Sequence, residues 1–278
     1  MNPDDVRPLV QVAQLVAREA GALILDGRRR HVSVAATKSS AQDVVTAMDL
    51  ASEALLRRRL AELRPGDGIL GEEEGFQPGT SGVTWVVDPI DGTVNYLYGL
   101  PAYAVSVAAV STPDGSSAPD PATWTALAGC VVAPEDGRTY TAGLGLGAWL
   151  DGRALRVNAA RPLIDSLVGT GFGYTASRRT SQARIVAELL PQVRDIRRVG
   201  SAALDLCTLA AGGLDLYYER GLQPWDLAAG ALVAQEAGAQ VTGLRGQPAQ
   251  EAMTVAGSAE RVTELIGLLE ALGADYDG

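Results

Sequence analysis

Apolar residues return at helical spacing over 6–25, where Val6, Leu9, Val10, Ala13, Leu15, Val16, Ala20, Leu23 and Ile24 recur along one side. This pattern predicts an amphipathic helix. The tract Arg28-Arg29-Arg30-His31 follows and reads as a solvated helix end whose positive charge suits the dipole. A loop at Lys38-Ser39-Ser40 precedes a second predicted helix over 45–63, with Leu50, Ala54, Leu55 and Leu60 on its inner face. Asp43 reads as an N-cap and Asp49 as a first-turn acid of that helix. Neither carboxylate by itself requires chemistry.

The pattern then changes period. Ile69-Leu70 is a short apolar strand that runs into Gly71-Glu72-Glu73-Glu74-Gly75, and 78–82 is a surface loop. Trp85-Val86-Val87 has the continuous β-branched and aromatic character of a buried strand. It ends in Asp88-Pro89-Ile90-Asp91 and passes into Gly92-Thr93-Val94-Asn95. Segments 103–110, 127–132, 138–144 and 148–150 read as further strands, closed by an Asp151-Gly152 type I′ turn. The Pro/Gly/Ser-rich stretch at 111–125 is a polar hairpin tip.

Beyond this point strands and helices alternate. Strands are predicted at 167–170, 214–218, 241–242 and 254–256, and helices at 177–190, 202–211, 224–237 and 259–272. Pro224 stands near the start of the third of these helices, where its missing N–H costs nothing. The change of pattern divides the chain into an N-terminal α+β half, 1–155, with an antiparallel sheet, and a C-terminal α/β half, 156–278.

Composition narrows the function classes. The 278 residues and 47% hydrophobic content support a large core. Lysine and arginine total 23 and aspartate and glutamate 33, a formal charge of −10. Nucleic-acid binding through a basic stripe is therefore not expected. Cys130 and Cys207 are far apart in apolar surroundings and read as buried reduced thiols. No signal core or uninterrupted apolar run of about 18 residues is present, so no membrane span and a cytoplasmic location are expected. The only histidine, His31, lies in the charged tract, which leaves no candidate histidine nucleophile.

Four carboxylates remain to be explained. Glu72, Asp88 and Asp91 follow apolar strands, and Asp226 opens the otherwise apolar helix Pro224-Trp225-Asp226-Leu227-Ala228-Ala229. Asp226 alone reads equally as a dipole partner or as a ligand. Gathered together, such groups repel unless they are protonated, paired with cations or bound to metal. Mg²⁺, which takes oxygen ligands, is the economical partner. Free N–H groups after Gly92 form an anion site. A cation beside a phosphate points to metal-assisted phosphoryl transfer.

The segments that carry these residues resemble the inositol monophosphatase family, in particular its bacterial inositol-1-monophosphatases. They are Lys38-Ser-Ser with Asp43-x-Val-Thr-x-x-Asp49, Gly71-Glu72-Glu73, Asp88-Pro-Ile-Asp91-Gly-Thr93-x-Asn95, Gly169-Thr-Gly-Phe-Gly, Gly200-Ser-Ala-Ala, and Tyr217-Tyr-Glu219 with Trp225-Asp226-x-Ala-Ala-Gly. The resemblance implies a layered αβαβα sandwich and a Mg²⁺-dependent, Li⁺-sensitive phosphomonoesterase that works as a homodimer on a small phosphate ester. It also implies site roles. Glu72, Asp88 and the Ile90 carbonyl would hold a first Mg²⁺, and Asp88, Asp91 and Asp226 a second, with a third weaker ion near Glu72. Gly92 and Thr93 would receive the phosphate. Thr93 with Asp49 would activate water, with Glu72 completing the catalytic group. Asp91, Gly200, Ser201, Ala202, Glu219 and Asp226 would surround the substrate, and Lys38 would belong to a metal-site loop. Ser201 stands where members often carry threonine, and 111–125 is long for the family.

Three alternatives stay open at this level. A haloacid-dehalogenase phosphatase uses Asp-x-Asp-Gly-Thr, but here the acids stand three apart instead of two. Fructose 1,6-bisphosphate, histidinol phosphate or 3′-phosphoadenosine-phosphate could replace inositol phosphate as substrate. A non-catalytic regulatory protein is the third alternative.

Overall fold

The computed structural model describes residues 3–29, 34–37, 44–112 and 117–276. Arg30, His31, Lys38 and Asp43 lie outside the described residues, as does part of the 111–125 tip; the cap expected at Asp43 is supplied instead by Thr46, whose hydroxyl accepts from the Met48 and Asp49 N–H groups of the second helix.

The chain opens with α1 (Pro3–Arg29), the short strands β1 (Val34–Thr37) and β2 (Val44–Thr46), and α2 (Ala47–Leu63). Then come β3 (Gly68–Gly71), β4 (Gly75–Gln77), β5 (Val83–Asp91), α3 (Thr93–Tyr98), β6 (Ala104–Ser111), β7 (Thr125–Ala133), β8 (Arg138–Gly143), β9 (Gly147–Leu150) and β10 (Arg153–Ala154). β3 to β10 form an eight-stranded sheet in the order β10-β9-β8-β7-β6-β5-β3-β4. Every neighbouring pair is antiparallel except β3 with β5. Asp151 and Gly152 both have positive φ, 49° and 83°, as the type I′ turn between β9 and β10 requires.

The remainder comprises β11 (Leu167–Thr170), α4 (Ala176–Leu189), β12 (Asp195–Arg197), α5 (Ala202–Ala210), β13 (Leu216–Glu219), α6 (Pro224–Glu236), β14 (Gln240–Thr242), β15 (Thr254–Gly257) and α7 (Ala259–Ala271). Its five-stranded sheet runs β12-β11-β13-β15-β14. Strands β12, β11 and β13 are parallel, whereas β15 is antiparallel to its neighbours.

Strand alternation sets the layers. Trp85 and Val87 of β5 join Leu9, Ala13, Ala17 and Ile24 of α1 and Leu56 and Leu60 of α2 in one core. Val86, between them, faces the opposite way and packs with Ala203 and Cys207 of α5 and Ala229 and Val233 of α6. In the second sheet Tyr217 faces α5 and α6, whereas Leu216 and Tyr218 face Ile185 of α4 and Leu265 of α7. The order is therefore helix, sheet, helix, sheet, helix: the layered αβαβα sandwich.

Two expectations about helix faces need correction. Leu15 of α1 points outward, and so do Leu50 and Ala54 of α2. The buried face of α2 is Asp49, Ser52, Glu53, Leu56 and Leu60. Polar residues took the inner positions because α2 packs over the acid-bearing ends of β3 and β5, where hydrogen bonds compensate burial. By composition α1 is apolar and long enough to cross a membrane, but its apolar stripe is spent on the core. Cys130 and Cys207 are buried free thiols.

Candidate metal and phosphate site

The carboxyl end of β5 places the first two acids. Alternation puts Asp88 on the same face as Val86, toward α6. A regular strand would then turn Asp91, an odd number of residues on, to the opposite face. It does not, because β5 bulges here. Asp88 pairs with Ser106 and Asp91 with Ala104, so β5 uses three steps where β6 uses two. The extra residue restores Asp91 to the Asp88 side. The bulge coincides with Pro89, which has no N–H to give the ladder.

Asp226 arrives from α6. The backbone N–H of Gln223 donates to its Oδ2 at 2.7 Å, closing the first turn of the helix. Asp226 is thus a helix cap with a second oxygen to spare. Ligand atoms of Asp88, Asp91 and Asp226 all lie within 4.8 Å of one another. Burial pushes the Asp88 carboxyl well above the ordinary carboxylate range, and the charges of Glu72, Asp91 and Asp226 push it further. Burial and the charges of Asp91 and Glu72 do the same to Asp226. Burial raises Asp91 to about 6, against the hydrogen bonds that Ser201 Oγ (2.6 Å) and Ala203 N (2.7 Å) donate to its Oδ2. A desolvated cluster of converging carboxylate oxygens is the donor set of a hard divalent cation, so the residues fit Mg²⁺.

Beside the acids the chain turns sharply. Gly92 has φ of 94°, and a Cβ there would lie 2.9 Å from the Ala102 carbonyl oxygen and 3.0 Å from that of Gly200. Only glycine permits this conformation and approach. Thr93 then starts α3, and its Oγ1 stands 3.1 Å from Asp49 Oδ1 and 3.0 Å from the Ile90 carbonyl. Asp49 is buried, its Oδ2 held by the backbone N–H and hydroxyl of Thr46. Desolvation raises its pKa against those bonds. Asn95 Nδ2 donates to the carbonyls of Ala102 (2.7 Å) and Val199 (2.9 Å), joining α3 to the Gly200 turn before α5.

Glu72, Asp88, Ile90, Asp91, Gly92, Thr93, Gly200, Ser201, Ala202, Glu219 and Asp226 all line one cleft of about 610 Å³. Asp49 is not on its wall but reaches it through Thr93. Tyr217 Oη donates to Glu219 Oε2 at 2.6 Å, while burial raises Glu219 to about 7. The cleft also takes Phe172, from the Gly169-Thr-Gly-Phe-Gly segment, and Tyr174, Arg178, Arg198 and Arg220, which the sequence does not single out. Arg198 sits over the Phe172 ring, and its charge favours ionised Asp91, Asp205 and Glu219. Arginines scattered over the start of α4 and the residues after two short strands carry no local signature. Another residue missed by the sequence reading is Glu53, buried in α2 and bonded to the turn that carries Glu72.

Comparison with known proteins agrees with this geometry. The model of the inositol monophosphatase family matches residues 5–272. An inositol-1-monophosphatase of Mycobacterium leprae is 48% identical, the match covering 86% of this chain and 85% of that protein. The structure of Mycobacterium tuberculosis SuhB superposes with a TM-score of 0.79 at 44% identity, covering 97% of this chain and 98% of the other. The Nus factor SuhB of Escherichia coli is 37% identical, covering 87% of each. With its family match spanning both sheets and every wall of the cleft, the chain belongs to the inositol monophosphatase family, as a hydrolase built for metal-activated attack on a phosphate ester.

Proposed function

We propose that the chain hydrolyses a myo-inositol monophosphate to myo-inositol and phosphate, with Mg²⁺ and without a phosphoenzyme. The observation that carries this reading is the convergence of Asp88, Asp91 and Asp226 within 4.8 Å, on a cleft whose wall includes Thr93. Glu72, Asp88 and the Ile90 carbonyl would hold one ion, and Asp88, Asp91 and Asp226 a second. A third, weaker ion would sit near Glu72. When bound, Mg²⁺ supplies Lewis acidity toward the phosphate ester and its departing alkoxide.

The protein's own groups do the rest. The backbone N–H groups of Gly92 and Thr93 face the phosphate. Thr93 Oγ1 orients a water and passes its proton toward Asp49, whose raised pKa suits it to accept. The water oxygen bonds to phosphorus as the ester P–O bond breaks on the far side, and the departing alkoxide takes up a proton from solvent as Asp49 releases one. Gly200, Ser201, Ala202, Asp91 and Glu219 contact the substrate hydroxyls. Glu219 is oriented for this by Tyr217.

Family membership also leads us to propose a homodimer, Li⁺ inhibition and a cytoplasmic location, the last in keeping with two unpaired buried thiols. A regulatory role alongside catalysis is the second reading, favoured by the relative called a Nus factor. The formal charge of −10 favours a protein over a nucleic acid as partner in that role.

The test is phosphate release from myo-inositol 1-phosphate beside fructose 1,6-bisphosphate and 3′-phosphoadenosine-phosphate, each with Mg²⁺, with EDTA and with added Li⁺. Release that needs Mg²⁺ and favours the inositol ester supports the reading. A preference for another ester keeps the site and moves the substrate. No release from any of them overturns the catalytic reading.

A further inference from the structure

Glu53 is a glutamate with 0% exposure in the second turn of α2. A buried carboxylate is costly unless its oxygens are satisfied, and these are satisfied by one short stretch of chain. Oε2 accepts the backbone N–H of Glu73 at 2.7 Å, and Oε1 that of Glu74 at 2.9 Å. Arg57, one helical turn on, donates Nε to Oε1 at 2.8 Å and another N–H to the Gly75 carbonyl at 2.6 Å. Gly71 leaves the necessary room, since a Cβ there would stand 2.3 Å from Oε1.

These bonds fasten the turn between β3 and β4, and Glu72 projects from that turn into the cleft. β4 is an edge strand paired only with β3, so sheet pairing alone holds this turn weakly. Glu72 stands close enough to Asp88 to share a hydrogen bond with it. Backbone bonds to an ionic clasp on a core helix hold the turn at that distance from the cluster.

The geometry points to Glu53 as a positioning residue for metal binding: it clamps the β3–β4 turn so that Glu72 is preorganised toward the Asp88 cluster. This rests on the reading of that cluster as a cation site. Partners of this kind are worth about 10–100-fold in metal affinity.

The test is Mn²⁺ binding to the purified metal-free protein, followed by electron paramagnetic resonance, with thermal unfolding alongside. Glu53→Gln replaces an accepting oxygen with an N–H₂ that opposes a backbone donor. Mn²⁺ affinity is expected to fall at least about tenfold, with kcat at saturating Mg²⁺ retained. Arg57→Gln is the milder variant should Glu53→Gln fail to fold, and a smaller loss in the same direction is expected. In a Glu72→Ala background Glu53→Gln should cost no further affinity, because the ligand it positions is gone. A merely structural role would not produce that dependence. Unchanged Mn²⁺ binding in Glu53→Gln, or equal losses with and without Glu72, overturns the proposal. Should Asp226→Asn leave Mn²⁺ binding untouched, the cation-site reading itself fails.

Discussion

Thr93 Oγ1 donates to Asp49 Oδ1 across 3.1 Å, joining the first residue of α3 to the first turn of α2 over 44 positions of sequence. The same hydroxyl stands 3.0 Å from the Ile90 carbonyl, in the bulge that aligns Asp88 with Asp91. The proposed water activation and cation binding would therefore share one piece of backbone.

Thr93→Val removes the hydroxyl and keeps the shape. It should lower kcat by about 10²–10⁴ while leaving Mn²⁺ affinity unchanged, and Thr93→Ser should recover most of the loss. Steady-state kinetics beside metal titration checks both. A Thr93→Val protein that turns over normally would remove Thr93 and Asp49 from the proton path.

Asp91→Asn takes a charge from the carboxylate cluster but keeps its hydrogen-bonding shape. Turnover should fall by about three powers of ten or more, roughly 4 kcal/mol of transition-state stabilisation. Circular dichroism should show the fold intact. Activity within tenfold of the unsubstituted protein would count against Asp91 as a ligand.

Ser201 caps α5 by accepting from Leu204 N, and it donates to Asp91 at 2.6 Å. Ser201→Ala should cost about 1 kcal/mol through the lost cap. It should also raise Asp91 above its present value of about 6. Mn²⁺ binding should therefore suffer more at pH 6 than at pH 8. A uniform loss at both pH values would show that only the cap had mattered.

Metal-free protein should lose stability as pH rises. Burial raises Glu219 from an ordinary 4.5 to about 7 and Asp205 from 3.8 to about 8, Asp205 further by the charges of Glu219 and Asp91. Between the ordinary and raised values the folded state binds more protons than the unfolded state, so unfolding free energy falls over that window. The contribution is fully present below about pH 4 and gone above about pH 8. Thermal unfolding of the EDTA-treated protein at pH 5 and pH 8 measures it, and Mg²⁺ should restore more stability at pH 8. A metal-free protein equally stable at both would contradict the desolvation argument.

Leu50 and Leu56 test the orientation of α2. Leu50 is 46% exposed and Leu56 is 0% exposed. Leu56→Ala should cost about 2–5 kcal/mol, whereas Leu50→Ala should stay within about 0.5 kcal/mol. Denaturant midpoints distinguish them, and comparable costs would require a different packing of the helix.

Much of the molecule was legible along the chain because it depends on local periodicity. The run Trp85-Val86-Val87 reads as a buried strand, Pro224 as a helix start and Asp151-Gly152 as a hairpin turn, since each is a property of neighbouring residues. The acids stood out because apolar surroundings leave a carboxylate without a packing role, and the family resemblance rested on those motifs. What the sequence could not decide is where odd and even positions face once the strand stops being regular. Asp88 and Asp91 share a side only because β5 bulges opposite β6, and a bulge is defined by a partner strand. The inner face of α2 departs from its apolar pattern for a related reason. Hydrophobicity favoured Leu50, but the ends of β3 and β5 offered Glu53 and Ser52 hydrogen-bond partners on Glu73, Glu74 and Pro89. Burial of a polar side chain depends on the donors and acceptors it meets. Those partners lie 20 or more positions away along the chain, so only the tertiary structure could bring them there.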